Sequence, residues 1–503
     1  MAALRWITAG FVGDPRDGRT WHKLDPLAPH ALAVSGYADD AGIADPTVSL
    51  MNVLGLLLKT QALHTEAEPL YRRALTLAEN SFGPDHPEVA TLLSNLGLLL
   101  QAANRLDEAE PLMRRALAIA ENNFGPEHPA VAGCLNNLAG LLRETGPLAE
   151  AEPLMRRTVK ITEKSLGPDH PNLAVQLDNL GTLLQSTNRL AEAEPLMRRA
   201  LAIAEDSLGP DHPEVATHLS NVGRLLHATD RPAEAEPLMR RALAIDEKSF
   251  GPDHPKVANR LHNLGRLLYA TGRSAEAELL MRRALAIDEK SFGLDHPNVA
   301  RDLNNLGELL RETNRLAEAG PLMRRALAIG ENSFGLNHPG VAIFLNNLGE
   351  LLHATNRLAE AEPLMRRAVA INENSLGPDH PSVSIGLDNL GQLLRATNRL
   401  AEAEPLHRRA LTIDENIFGP DHPDVAKDLY NLGTLLLDTN RLAEAEPLMR
   451  RALAILNDLE PRTGHRHPHR DVAARNYVML LVTMGKSEAE VRAAIDELIG
   501  KLS

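Results

Sequence analysis

The stretch PEVATLLSNLGLLLQAANRLDEAEPLMRRALAIAENNFGPEH, residues 87–128, decides the fold because the chain repeats it many times. Its His-Pro junction recurs every 42 residues, from His86-Pro87 to His422-Pro423. A fixed period of this length is typical of a solenoid, in which each unit stacks on its neighbours. The sequence therefore predicts one elongated array, and binding as its general activity.

Each unit contains two runs of apolar residues at helical spacing. In the quoted copy Val89, Leu93 and Leu100 lie on one face of a first helix, which we call helix A. A second run, from Leu106 to Ile119, follows a connection too short for anything but an antiparallel return, and it defines helix B. Proline at the start of helix A and Gly-Pro after helix B fit the usual start and stop signals. Each unit is therefore predicted to be an antiparallel helix pair.

The packing positions of these helices resemble those of the tetratricopeptide repeat. Leu93, Gly97, Ala109, Met113 and Ala116 fall where that family packs its helices together. The 42-residue unit is similar to the variety found in kinesin light chains and in many bacterial proteins, and it is longer than the common form of about 34 residues. The resemblance implies an all-α fold, a right-handed superhelical solenoid of antiparallel helix pairs.

The predicted array occupies most of the chain. We expect ten 42-residue units over residues 45–464, an N-terminal helical cap or linker over residues 1–44, and a degenerate capping pair of helices over residues 465–503. Residues 4–31 resemble the segment that joins the nucleotide-binding module to the repeat array in bacterial signalling NTPases of the NB-ARC (STAND) class. The chain could therefore also be the sensor array of such a protein, with the nucleotide-binding module absent from it.

The sequence offers no set of residues suited to catalysis. A Walker A motif places a glycine five residues before its Gly-Lys pair, but the only Gly-Lys-Ser, which begins at Gly485, has Leu480 there. Histidines that recur once per unit would lie about 10 Å apart in stacked helices, too far to share a metal ion. The cluster His465, His467 and His469 is expected to take up metal only adventitiously. We expect no enzyme activity, no cofactor and no metal site.

Composition limits the kind of partner. A formal net charge of -14 argues against nucleic acid and anionic membranes. The single cysteine, Cys134, excludes a disulfide framework, and neither a signal peptide nor an apolar run of membrane-spanning length is present. We expect a cytoplasmic protein whose partner is a protein or peptide, and the sequence leaves the oligomeric state open.

The positions that vary among the units indicate the binding surface. Helix B barely changes, and its arginines follow a glutamate by four residues, which predicts a solvated lattice of ion pairs. Four positions of helix A vary freely and share one stripe away from its apolar face. In the quoted unit they are Thr91, Ser94, Leu98 and Gln101, which we call the first to fourth stripe positions. The resemblance implies that this stripe lines a concave groove.

One further position on the stripe is asparagine in nine units. A carboxamide both donates and accepts hydrogen bonds, so a column of them could hold the backbone of an extended peptide, as equivalent residues do in tetratricopeptide grooves. The alternative is that each asparagine bonds the neighbouring helix and stiffens the stack. The candidate ligand-binding asparagines are Asn95, Asn137, Asn179, Asn221, Asn263, Asn305, Asn347, Asn389 and Asn431.

Basic residues collect on the stripe in units five to seven, with Glu308 as the only acidic residue among them. A concave wall focuses such a field, and arginine can grip a carboxylate with two hydrogen bonds. We therefore expect an acidic partner segment, unless acidic residues of neighbouring units neutralise these cations. The candidate cations are Arg224, His227, His262, Arg266, Arg301 and Arg311.

Overall fold

The computed structural model describes residues 2–11, 13, 15, 20–61, 63–103, 105–145, 148–187, 189–229, 231–463 and 470–499. Across these residues all regular secondary structure is helical and no β-strand occurs, which confirms the all-α prediction. The predicted boundary between residues 464 and 465 and the cluster His465, His467 and His469 lie outside the described residues.

Ten antiparallel helix pairs form the stack in the described part of the chain, and we number them repeats 1 to 10. Helix A opens each pair and helix B closes it. The pairs are α4 (Thr47–Thr60) with α5 (His64–Phe82), α6 (Pro87–Ala102) with α7 (Leu106–Phe124), α8 (Pro129–Thr145) with α9 (Leu148–Leu166), α10 (Pro171–Ser186) with α11 (Leu190–Leu208), α12 (Pro213–Ala228) with α13 (Pro232–Phe250), α14 (Pro255–Ala270) with α15 (Ser274–Phe292), α16 (Pro297–Glu312) with α17 (Leu316–Phe334), α18 (Pro339–Ala354) with α19 (Leu358–Leu376), α20 (Pro381–Ala396) with α21 (Leu400–Phe418), and α22 (Pro423–Asp438) with α23 (Leu442–Thr463).

Helices at both ends of the stack pack onto the outermost repeats. Before repeat 1 come α1 (Ala2–Gly10), α2 (Trp21–Leu24) and α3 (Ala28–Asp40), and after repeat 10 come α24 (Arg470–Thr483) and α25 (Glu488–Ile499). Helix α3 packs against α4, and α24 packs against α23. No helix in the described ranges is long and apolar enough to cross a membrane.

The recurring histidine caps helix A. In repeat 2 the backbone N–H of Glu88 donates to Nδ1 of His86 at 3.2 Å, which satisfies one of the free N–H groups at the helix start. The preceding helix ends at a glycine with positive φ, such as Gly125 at 84°. At that junction the ring of Phe124 stacks on His128 with centroids 4.7 Å apart. The histidines of the repeat unit thus have a structural role at the junctions.

Apolar side chains fill the interior of each pair and the contact with the next pair. Leu93 and Met113 are buried in repeat 2, and Ala109 and Ala116 are the small residues of the same core. On the outer face, Arg114 of helix B pairs with Glu110 at 2.8 Å, as the spacing of four residues predicts. Each repeat therefore depends on its neighbours for burial of its apolar face.

The stack curves until distant repeats touch. The ring of Trp21, before repeat 1, lies 6.0 Å from the ring of Phe292 at the end of repeat 6. A cavity of about 750 Å³ separates repeats 1 and 2 from repeats 7 to 9, and His64, Gln101 and His338 are among its lining residues. The first superhelical turn therefore ends in contact with the next, which the sequence did not predict.

Candidate binding groove

Helix A lies on the inner side of the curve. Neighbouring helices A, such as α10 and α12, contact each other more extensively than neighbouring helices B do over most of the described stack. The side on which successive helices approach more closely is the concave side. At the first stripe position Val175, Ile343 and Ile385 are 43%, 54% and 52% exposed, so this face is open. The variable stripe therefore lies on the concave side of the array.

The asparagine of each repeat reaches back to the repeat before it. Nδ2 of Asn179 donates to Oδ1 of Asn136 at 2.8 Å, and Nδ2 of Asn221 donates to Oδ2 of Asp178 at 2.9 Å. Equivalent contacts are made by Asn95, Asn263, Asn305, Asn347, Asn389 and Asn431. Among the described residues Asn137 is the one member of the series without such a bond.

These contacts agree with the stacking interpretation of the asparagines. A carboxamide has two N–H donors and a carbonyl acceptor, so one bond to the neighbouring repeat leaves a donor and an acceptor for a ligand. Asn347 and Asn431 are buried and present little surface, whereas the other members are partly exposed. Ligand binding by the series stays a prediction, and it is best suited to the partly exposed members.

The partners of the asparagines are themselves a sequence signal. In repeats 3 to 9 the residue at the second stripe position is the one that bonds to the asparagine of the next repeat, and in repeat 2 this position is Ser94. Each of these residue types can accept a hydrogen bond. They are Ser94, Asn136, Asp178, Ser220, His262, Asn304, Asn346 and Asp388. This position differs in residue type from repeat to repeat, but in these eight repeats it always holds a hydrogen-bond acceptor.

Two of the six predicted cations are neutralised by neighbouring carboxylates. Nη2 of Arg301 lies 3.1 Å from Oδ1 of Asp302 and 3.4 Å from Oδ2 of Asp288. Nη2 of Arg311 lies 3.4 Å from Oε1 of Glu312 and 3.3 Å from Oε2 of Glu350 in the next repeat. The alternative weighed from the sequence, neutralisation by acidic neighbours, applies to these two arginines.

His262 does not carry the positive charge that the sequence suggested. Burial, followed by the nearby charges of Arg301 and Arg266, lowers the pKa of His262 to about 3. The imidazole is therefore neutral at pH 7, and its ring nitrogens lie 3.3 and 3.4 Å from Nδ2 of Asn305. His262 serves the contact between repeats 6 and 7.

Arg224 and Arg266 have no partner at ion-pair distance among the described residues, and neither makes a hydrogen bond with any of them. Burial and then the charge of Arg266 lower the pKa of Arg224, and the charge of Asp178 opposes this shift. Arg266 and Arg143 therefore both lie within electrostatic reach of Arg224. Arg143 likewise lacks an ion pair within the described chain. Arg143 occupies the fourth stripe position of repeat 3, which lies outside units five to seven, where the six candidate cations lie.

A cavity of about 390 Å³ opens on this wall between repeats 5 and 7, lined among others by His227, Arg266, Tyr269, Asn305 and Glu308. Burial, and then a hydrogen bond to Glu312, raises the pKa of Tyr269 to about 12. Burial and the charge of Glu350 raise the pKa of Glu308. Nowhere in the described ranges do three or more His, Cys, Asp or Glu side chains have the geometry to hold a metal ion.

Comparisons with known proteins agree with the repeat architecture. The family model described as "Tetratricopeptide repeat" matches residues 47–122, 90–164, 131–206, 175–248, 214–290, 280–332, 298–374, 340–416 and 387–458. The comparison with curated proteins finds no match.

Among similar solved structures is that of a Podosopora anserina putative kinesin light chain with nearly identical TPR-like repeats, at 24% identity and a TM-score of 0.35, covering 41% of this chain and 97% of that one. A variant of that same protein has the same identity and coverage, with a TM-score of 0.36. BtubC (BKLC) from P. vanneervenii is 25% identical with a TM-score of 0.37, covering 47% of this chain and 92% of that one.

Proposed function

The chain belongs to the tetratricopeptide repeat family, and we propose that it is a non-enzymatic scaffold that binds an extended, acidic segment of a partner protein along its concave face. Repeats of this family are in general protein–protein interaction modules. The variable stripe on helix A supports a specific ligand there, because the positions that differ between repeats share that face.

The observation that carries the proposal is the contrast between the arginines of the two faces. On helix B, Arg240 pairs with Glu236 at 2.8 Å and with Glu276 of the next repeat at 2.7 Å. On the concave face Arg224 and Arg266 have no such partner among the described residues, although the chain carries an excess of acidic side chains. Arg224 is partly buried and so loses hydration, whereas Arg266 is exposed. Carboxylates of a bound segment would bring both guanidinium groups a partner at ion-pair distance.

The proposal gives the named residues different roles. Arg143, Arg224 and Arg266 grip carboxylates of the partner, each with the planar fork that suits two hydrogen bonds. Asn221 and Asn263 hold the partner backbone with the donor and acceptor that the stacking contacts leave available. Arg301, Arg311 and His262 act within the array, since their charges are already paired or absent.

The overall charge of -14 does not prevent such a complex. At an ionic strength of 0.1 M, charges separated by more than about 10 Å are largely screened in solution. Three guanidinium groups gathered on a concave wall act at much shorter range, and the curvature concentrates their field. An acidic segment is therefore attracted at contact although the whole molecule is acidic.

A pull-down with the full chain, followed by mapping of the peptide that the array protects from protease, tests the proposal. The expected product is a short extended segment rich in Asp and Glu. Capture of a neutral or basic segment, or of a folded domain that protects helices B, would contradict the proposed function.

The second candidate, a C-terminal sensor or regulatory array of a bacterial NB-ARC-type signalling NTPase, rests on the similarity of residues 4–31 to the linker of such proteins. In the array α3 is tied to repeat 1 by Arg73, whose Nη2 lies 2.7 Å from Oδ2 of Asp39. This ion pair connects the N-terminal helices to the first repeat. Coding sequence for an NB-ARC module directly upstream would favour this candidate, and its absence would argue against it.

A further inference from the structure

We propose that the bound segment also carries a lysine or arginine that lies against Glu308. Along the segment, this basic residue is three positions from an acidic residue bound at Arg266 and six positions from an acidic residue bound at Arg224. The inference rests on the function proposed above and names the charge pattern of the ligand. It follows from the order of charges along the groove.

The side-chain charge at one position of helix A changes sign between adjacent repeats. The third stripe position holds Arg224 in repeat 5, Arg266 in repeat 6, Glu308 in repeat 7 and Glu350 in repeat 8. Because equivalent residues of a solenoid repeat at regular steps, these side chains form a row along the concave wall. A ligand that follows the row meets two positive charges and then a negative one.

Glu308 lacks a counterion of its own. It makes no ion pair or hydrogen bond with the residues that the structure describes, and Arg266 in the same cavity lies beyond ion-pair distance. Another cation that acts on Glu308, Arg311, is shared between Glu312 and Glu350. Burial raises the pKa of Glu308, although the charges of Arg311 and Arg266 oppose the shift. A ligand cation at ion-pair distance would therefore stabilise this carboxylate further.

Glu350 is not an equivalent site, although it occupies the next step of the row. It accepts hydrogen bonds from Nδ2 of Asn389 at 2.6 Å and from Nδ2 of Asn346 at 3.0 Å, in addition to its contact with Arg311. Its charge is therefore compensated within the array, and a ligand cation gains more at Glu308.

The cavity beside Glu308 suits a long basic side chain. Its volume is about 390 Å³, and the ring of Tyr269 and the side chain of Leu309 line it. The methylene stem of lysine or arginine packs on such surfaces while the charged end reaches a carboxylate. A guanidinium also interacts favourably with an aromatic face.

The spacing follows from the dimensions of the array and of an extended chain. Packed helices lie about 8 to 10 Å apart, and an extended peptide advances about 3.3 Å per residue. About three ligand residues therefore span one repeat. The expected pattern is an acidic residue at i, another at i+3 and a basic residue at i+6, read in one of the two chain directions.

Fluorescence anisotropy with synthetic peptides and the full chain tests this pattern. The reference peptide has Glu at i and i+3 and Ala at i+6 in a Gly/Ser background, and the test peptide has Lys at i+6. Both are made in both chain orders, with a control in which Lys stands at i+1. A charge-assisted contact in a partly enclosed site should strengthen binding about fivefold for one order only.

The variant Glu308→Gln should remove this fivefold gain, and the matched variant Glu360→Gln, on the outer helix α19, should keep it. Equal affinity of the Lys and Ala peptides in both orders, or a gain that survives Glu308→Gln, would overturn the inference while acidic peptides still bind. If no acidic peptide binds at all, the proposed function itself is wrong and the inference falls with it.

Discussion

Nδ2 of Asn221 donates a hydrogen bond to Oδ2 of Asp178, 2.9 Å away, and so ties helix A of repeat 5 to helix A of repeat 4. Asp178 is 4% exposed, so the bond is made to a carboxylate with little access to water. Hydrogen bonds to charged groups contribute more than neutral ones. Without Asn221, Oδ2 of Asp178 keeps its contact with Nδ1 of His218 but loses the bond between the two repeats. The column of asparagines is thus part of what holds the repeats in register.

Replacement of Asn221 by alanine should lower the free energy of unfolding by about 1 to 3 kcal/mol. The matched control is Asn137→Ala, because Asn137 makes no such bond with the described residues. Urea unfolding of the full chain, followed by circular dichroism, measures both changes. Equal losses in the two variants would show that the inter-repeat bond contributes nothing measurable.

A second prediction concerns the contact between repeats 7 and 8. Gly330 faces the ring of Phe344 so closely that an added Cβ would lie 2.6 Å from Cε2 of the ring. The same two positions hold Ala78 and Leu92 between repeats 1 and 2. Gly330→Ala should therefore cost about 1 to 3 kcal/mol by overpacking.

The double variant Gly330→Ala with Phe344→Leu recreates the alanine–leucine pair that repeats 1 and 2 have at these positions. It should recover much of the stability lost in Gly330→Ala. Thermal unfolding of the single and double variants gives the coupling energy. If the two changes add without coupling, the two positions do not pack as a pair.

A third prediction links pH to the contact between repeats 6 and 7, where Asp288 and Asp302 are buried together beside Arg301. Burial, and then the charge of Asp302, raises the pKa of Asp288 to about 7, and burial also raises the pKa of Asp302. Between about pH 4, where aspartate titrates in an unfolded chain, and pH 7, the folded state then binds more protons than the unfolded state. Stability should fall as the pH rises through this window.

Asp302→Asn removes one titrating group and leaves an amide that can donate to Asp288. The free energy of unfolding of this variant minus that of the wild type should be larger at pH 8 than at pH 5. Urea unfolding of both proteins at both pH values measures this difference. A difference between variant and wild type that does not change with pH would contradict the assignment.

The fourth prediction concerns His338, which lies between the two superhelical turns. Here stability should rise, not fall, as the pH increases. Nδ1 of His338 accepts from the N–H of Gly340 at 2.9 Å, and burial, followed by the charge of His64, lowers the pKa of His338 to about 4. Protonation would remove this cap. The stabilisation is fully present above about pH 6.5, the pKa of an unperturbed histidine, and is lost as the pH falls through 4.

His338→Asn keeps a capping acceptor but does not titrate. The wild type should therefore lose more stability than this variant between pH 6.5 and 4, as measured by thermal unfolding across that range. Parallel losses would indicate that other groups control the acid sensitivity.

The sequence predicted the helix pairs well because their signals are local. The apolar spacing of Leu93 and Leu100 and the regular His-Pro junction depend on neighbouring residues alone. The net charge of the groove was less predictable. The charge of Arg301 is compensated by Asp288 in the preceding repeat, and that of Arg311 by Glu350 in the next one. The contact of Trp21 with Phe292 depends on small rotations summed over six repeats, which no local pattern records.

The central claim, that unpaired arginines of the concave face hold an acidic segment, is tested most directly by the dissociation constant of the captured segment for three proteins at two salt concentrations. They are the wild type, the groove variant Arg224→Glu with Arg266→Glu, and the outer-face variant Arg198→Glu with Arg240→Glu, which changes the net charge equally. We predict that the groove variant loses binding, while the outer-face variant binds like the wild type and weakens similarly with added salt. Unchanged affinity in the groove variant, or equal loss in both variants, would contradict the account.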